Sequence, residues 1–123
     1  MDINRLTSWI IGAAIEVHRY IGPGLLESAY EACLSKELDL RGLNYVRQKE
    51  VPLHYKGHSL DCGYRIDLCV EDELVVELKA CQQLEPVHKA QVLTYLKLTG
   101  TRVGLLLNFN VERMREGIVR IVN

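Results

Sequence analysis

Tyr64-Arg65-Ile66-Asp67-Leu68-Cys69-Val70-Glu71-Asp72-Glu73-Leu74-Val75-Val76-Glu77-Leu78-Lys79-Ala80 decides how this chain is read. In its first arm the even positions are Tyr, Ile, Leu and Val; in its second they are Leu, Val, Leu and Ala. Successive strand side chains point to opposite faces. An apolar even set therefore seeks one buried face, and the odd set, carrying Asp67, Glu77 and Lys79, takes the other. A short turn through Glu71-Asp72-Glu73 pairs position 66 with 78 and 67 with 77. Two carboxylates then lie side by side with an ammonium next to them. Like charges so placed repel unless a cation or a proton sits between them, which marks the hairpin as a place for a metal.

Upstream, Ile3, Leu6, Trp9, Ile10, Ala13, Ala14 and Val17 have the spacing of an amphipathic helix over residues 3–20. Ile21-Gly22-Pro23-Gly24 breaks it, and a second helix runs from about Leu25 to Leu40, stopped by Arg41-Gly42. Tyr45 to Tyr55 reads as one strand, with Pro52 marking an edge or a bulge, and Lys56-Gly57 as a turn. Downstream, Pro86 opens a third helix that Gly100 closes. Ala90, Leu93 and Leu96 form its expected core stripe. The apolar run Val103-Gly104-Leu105-Leu106-Leu107 predicts a central strand within 102–109. Residues 110–115 suit a short helix and Ile118–Val122 a closing strand. The order ααβββαββ predicts an α/β (α+β) fold, a mixed sheet flanked by helices.

A chain of 123 residues supports one domain, 1–123, with a single modest core. Its net charge of −1 supplies no global field toward nucleic acid or membrane, so any polyanion site must be a local basic patch. Cys33, Cys62, Cys69 and Cys81 have no zinc-ligand spacing, and reduced thiols in a cytoplasmic protein are expected. No signal-peptide pattern opens the sequence and no stretch approaches the roughly 20 apolar residues of a membrane span. His54 and His58 flank the Lys56-Gly57 turn and are expected in solvent, while His18 suits the C-terminal end of the first helix. No phosphate-cradling glycine loop points to small phosphorylated metabolites.

An αβββαβ core carrying Asp67 and Glu77-Leu78-Lys79 on its second and third strands resembles the PD-(D/E)xK nuclease superfamily. Gly24-Leu25-Leu26-Glu27-Ser28-Ala29-Tyr30 is similar to the signature of its small GxxExxY family. Gln91 and Tyr95 reproduce the Gln-x-x-x-Tyr of the helix after the Glu-x-Lys strand in some exonuclease branches. The likeness spans roughly Ile10 to Asn123, with Ile66-Asp67 where the superfamily's name has Pro-Asp.

The resemblance implies a restriction-endonuclease-like αβββαβ core with an extra N-terminal helix and a C-terminal strand. It implies a nuclease that uses Mg2+ or Mn2+ to hydrolyse phosphodiesters, in DNA before RNA. Asp67, Glu77 and Lys79 are then catalytic. Glu27, Asp67, Glu77 and the Leu78 carbonyl hold the metal, and Gln91, Tyr95, Arg65 and Tyr30 meet the substrate. So small a domain is expected to work as a homodimer or with a partner that supplies the target, through the final strand or the first helix. The rival is a non-catalytic module that keeps the fold to bind nucleic acid or protein.

Overall fold

A computed structural model describes residues Met1–Asn123. The elements are α1 (Ile3–Ile21), α2 (Glu27–Leu40), β1 (Tyr45–Glu50), β2 (Leu53–Tyr55), β3 (His58–Leu60), β4 (Arg65–Val70), β5 (Leu74–Lys79), α3 (Pro86–Thr99), β6 (Val103–Asn108), a 3-10 turn (Met114–Gly117) and β7 (Ile118–Val122). The main sheet has the order β1-β4-β5-β6-β7. Only β5 and β6 run parallel. A parallel neighbour requires a crossover, and α3 provides it.

The sheet is sandwiched. On one face, Leu6, Ile10 and Ala14 of α1 and Tyr30, Leu34 and Leu38 of α2 pack on Leu68, Val70, Val76, Leu105 and Leu107. On the other, Val92, Tyr95 and Leu96 of α3 pack on Ile66, Val75 and Leu106. Strands β5 and β6 are covered on both sides, which is why their sequences carry apolar residues at odd and even positions alike. Close approach of α3 depends on Gly104, where a Cβ would lie 2.8 Å from Val92 Cγ1.

Three expectations need correction. The stripe of α3 is Val92, Tyr95 and Leu96, with Ala90 exposed and Leu93 half-buried. Apolar residues crowd this helix on two overlapping stripes, and the seat at Gly104 selects the one containing Val92. The strand expected over 45–55 breaks at Val51-Pro52, and its second part folds onto β3 as a separate hairpin. The short helix lies at Met114–Gly117 rather than 110–115. His18 lies in the last turn of α1, as expected, and is buried there, its Nε2 2.7 Å from the Val111 carbonyl, so it ties α1 to the loop after β6.

Candidate active site

Strands β4 and β5 meet at a turn where Glu71 and Asp72 both have positive φ, at 53° and 55°. Their ladder runs Val70↔Leu74, Cys69↔Val75 and Leu68↔Val76, the register read from the sequence, and the next rung sets Asp67 opposite Glu77. There side chains enter the ladder. The Asp67 backbone N–H donates to Glu77 Oε1 at 2.9 Å, and the Leu78 N–H donates to Asp67 Oδ2 at 2.9 Å. Each acid is pinned by a backbone donor through one oxygen; the other oxygen of Glu77 has no hydrogen bond, and that of Asp67 meets only the Gln48 amide.

The pairing also alters the alternation of β4. Leu68 and Val70 join the core beneath α1 and α2. Ile66 joins the core beneath α3, and the Tyr64 ring lies edge-on to Tyr95 at 6.3 Å. The even positions from 64 to 70 therefore do not share one face, as their pattern predicts. The change of side falls at Asp67, where side-chain bonds replace the backbone rung.

Glu77 is only 4 % exposed. Burial, and next the charge of Asp67, push its carboxyl up to about 8 against the Lys79 charge, which favours ionisation. Ser35 Oγ is the one buried side-chain N or O atom without a partner. The second oxygen of Glu77, which has no hydrogen bond, is therefore not wholly shut off from solvent. Lys79, the last residue of β5, is half-buried, and its carbonyl accepts the Phe109 N–H at 2.9 Å. The adjoining chain is clamped by Asn108, which bonds both backbone groups of Cys81. The lysine thus leaves a fixed point of the sheet.

Tyr95 and Gln91 lie on the α3 side of the acid pair. Burial, followed by the charges of Glu77 and Asp67, pushes the Tyr95 phenol up to about 12, with Gln91 opposing. At neutral pH this hydroxyl is a hydrogen-bond donor beside the two acids. Arg65 stands at the rim, 3.3 Å from Glu50 Oε1. His88, one turn before Gln91, turns back so that its Nδ1 accepts the Glu85 N–H and caps α3.

Two expected residues are placed elsewhere. Glu27 is exposed in the first turn of α2, and no group of three His, Cys, Asp or Glu residues is gathered anywhere. Tyr30 is fully buried, stacked on Phe109 with ring centroids 4.5 Å apart. Its hydroxyl donates to the Gly22 carbonyl and accepts the Leu25 N–H, at 2.6 and 3.2 Å. Tyr30 thus locks the α1–α2 connection and has no surface to offer a substrate.

The sequence reading missed Glu31 and Gln48. Glu31, four residues after Glu27, is buried and takes the Arg47 Nη2 at 2.9 Å and the Gln48 Nε2 at 2.6 Å. Gln48 Nε2 also lies 3.2 Å from Asp67 Oδ1. To reach both, Gln48 takes φ of 51° inside β1, and its rung with Asp67 is absent from an otherwise continuous ladder. A left-handed non-glycine residue within a strand is strained, and such strain collects at functional sites. Adjacent polar residues in an edge strand carry little signal of this, though a buried glutamate could be sought on the core stripe of α2.

A mixed sheet between helical layers, bearing an acid pair and a lysine on two inner strands, is consistent with the restriction-endonuclease-like fold. The family model described as the PD-(D/E)XK nuclease superfamily matches residues 4–121, and the chain belongs to that superfamily. No curated protein and no solved structure matches the chain.

Proposed function

We propose that this protein is a divalent-metal-dependent nuclease that cleaves DNA at Asp67, Glu77 and Lys79. The observation that carries this is the acid pair, in which a backbone N–H holds one oxygen of each acid, while the second oxygen of Glu77 is unbonded and that of Asp67 accepts only a long bond from Gln48. A buried acid held protonated near neutral pH beside a second acid is a poor device for stability and a good one for exchanging a proton for a cation. The donor set fits Mg2+ or Mn2+: hard oxygens only, two carboxylates with the Leu78 carbonyl beside them. Such an ion, when bound, polarises the phosphodiester and lowers the pKa of water.

The chain's own groups do the rest. Glu77 gives up its proton as the site fills. Lys79 faces the charge that develops at phosphorus and orients the attacking water. Tyr95 and Gln91 donate hydrogen bonds to the strand backbone, and Arg65 meets a neighbouring phosphate at the rim. Glu31 and Gln48 hold Asp67 in place. The Gly24…Tyr30 segment supports placement in the GxxExxY branch, with its tyrosine acting in the fold. Trp9 and Ile15, 39 % and 42 % exposed on α1, and the free edge of β7 are the surfaces we assign to a second copy or a partner.

The test is purified protein with labelled DNA, in Mn2+ and in EDTA. Cleavage that needs the metal and disappears in both Asp67→Ala and Lys79→Ala is expected. DNA binding without cleavage under any metal would make the chain a non-catalytic module instead.

A further inference from the structure

The β2–β3 hairpin is isolated. It forms its own two-stranded sheet, and neither hydrophobic core includes a residue between Pro52 and Arg65. Every residue of β3 is exposed, and Tyr55 and Leu60 are 60 % and 42 % exposed. A two-stranded hairpin with nothing packed on it is marginal in water, so this one is shaped for something that covers it.

Its chemistry names the occupant. The ten residues Val51–Leu60 contain no carboxylate, in a chain that has 16. They carry His54, Tyr55, Lys56 and His58, all exposed. Lys56 sits at the tip with φ of 49° ahead of Gly57 at 81°. Both positive values define the two-residue turn that favours Asn-Gly or Gly-Gly, so a lysine is held there against backbone preference. Its Nζ lies 5.5 Å from the Tyr55 ring centroid, which puts a cation and a flat aromatic on one side of the tip. An aromatic platform with an adjacent cation is what binds single strands of nucleic acid, through base stacking and phosphate contact.

The arm is also joined to the site. Val51 N–H bonds the Tyr64 carbonyl at 2.9 Å and closes the hairpin's base. Tyr64, 45 % exposed, touches Tyr95, and Asp67 is three residues further along the chain. A hollow of about 350 Å³ between Pro52, Ser59, Asp61 and Arg65 opens at that base.

We propose that the β2–β3 hairpin is a DNA-gripping arm that stacks bases on Tyr55 and Tyr64 and holds phosphate with Lys56, feeding the strand to the acid pair. This rests on the nuclease reading for what happens at the strand's end, but binding tests it separately.

The experiment uses the full chain as wild type, Tyr55→Ala, Lys56→Asn and the double variant. A fluorescein-labelled oligonucleotide, single-stranded or duplex, reports affinity in EDTA across a salt series, and bis(p-nitrophenyl) phosphate in Mn2+ reports the chemistry. That diester is too small to reach the arm. The double variant should lose about tenfold or more in DNA affinity, with a shallower salt dependence. It should hydrolyse the small diester as wild type does. Lys56→Asn should melt no lower than wild type, because asparagine accepts the left-handed turn. Equal DNA affinity in wild type and variants, or a wild type that binds no DNA, overturns the arm. Equal loss of DNA affinity and diester hydrolysis would also overturn it, as general damage to the site. Should the wild type cut nothing while the variants still lose DNA affinity, the nuclease reading fails and the arm stands.

Discussion

Replacing Glu77 with glutamine should make the protein more stable at alkaline pH while destroying its activity. In the fold the Glu77 carboxyl is pushed up to about 8, from an ordinary 4.5, chiefly by burial and by Asp67. The unfolded chain releases this proton near the ordinary value, and the folded chain keeps it. Between those two pH values the native state binds more protons than the unfolded state, so stability falls as pH rises. The gap, at about 1.36 kcal/mol per pH unit, comes to about 5 kcal/mol, an upper figure that relaxation and water entry would reduce to about 2–5 kcal/mol. Glutamine keeps the oxygen that accepts the Asp67 N–H and removes the titration. Urea unfolding in EDTA at pH 5, 7 and 9 should therefore show the wild type weakening across this window. The variant should stay nearly flat and overtake it at the alkaline end. Mn2+ should restore the wild type and not the variant, since only the carboxylate exchanges its proton for the ion. Parallel profiles for the two proteins would refute the claim that Glu77 is a buried acid held protonated.

Other perturbations separate the roles around the site. Lys79→Met should fold normally, because the side chain is only half-buried, and lose about 100-fold or more in cleavage rate, measured at saturating DNA. Tyr30→Phe should cost about 1–2 kcal/mol in urea midpoint stability, by releasing the Gly22 and Leu25 bonds, and leave cleavage per folded molecule unchanged. Gln48→Gly relieves a left-handed backbone worth about 1 kcal/mol but loses the amide bonds to buried Glu31 and to Asp67, so it should destabilise by about 1–2 kcal/mol in urea, and calorimetric Mn2+ affinity should drop. Gly104→Ala should destabilise by about 1–3 kcal/mol, because its Cβ would meet Val92 beneath α3.

Sequence patterning was legible where two neighbouring surfaces demanded the same thing. The β4–β5 register followed from the turn and two apolar stripes, and the observed rungs have the same sum of positions as the expected pairing of 67 with 77. Helix ends marked by Pro86 and Gly100 were equally clear. Where side chains replace backbone bonds, the pattern was silent. Nothing in the alternation of Tyr64 to Val70 announces that Ile66 changes sides, because that depends on Asp67 accepting the Leu78 N–H. The hairpin after Pro52 escaped notice because the run from Tyr45 to Tyr55 is acceptable as a single strand until a partner exists at His58–Leu60. The Gly24…Tyr30 signature was visible, but a sequence motif does not say which of its members face solvent. Here the tyrosine is the buried one, and the buried carboxylate is Glu31, one helical turn after the expected Glu27.

The most direct measurement is an anomalous difference map from crystals soaked in Mn2+. A single strong peak about 2.0–2.3 Å from Asp67 Oδ1 and Glu77 Oε2, with waters completing the shell and Glu27 absent from it, is the expected result. A peak held by other residues, in crystals of a protein that cleaves DNA in the same solution, would contradict the assignment of the metal and the chemistry to this pair.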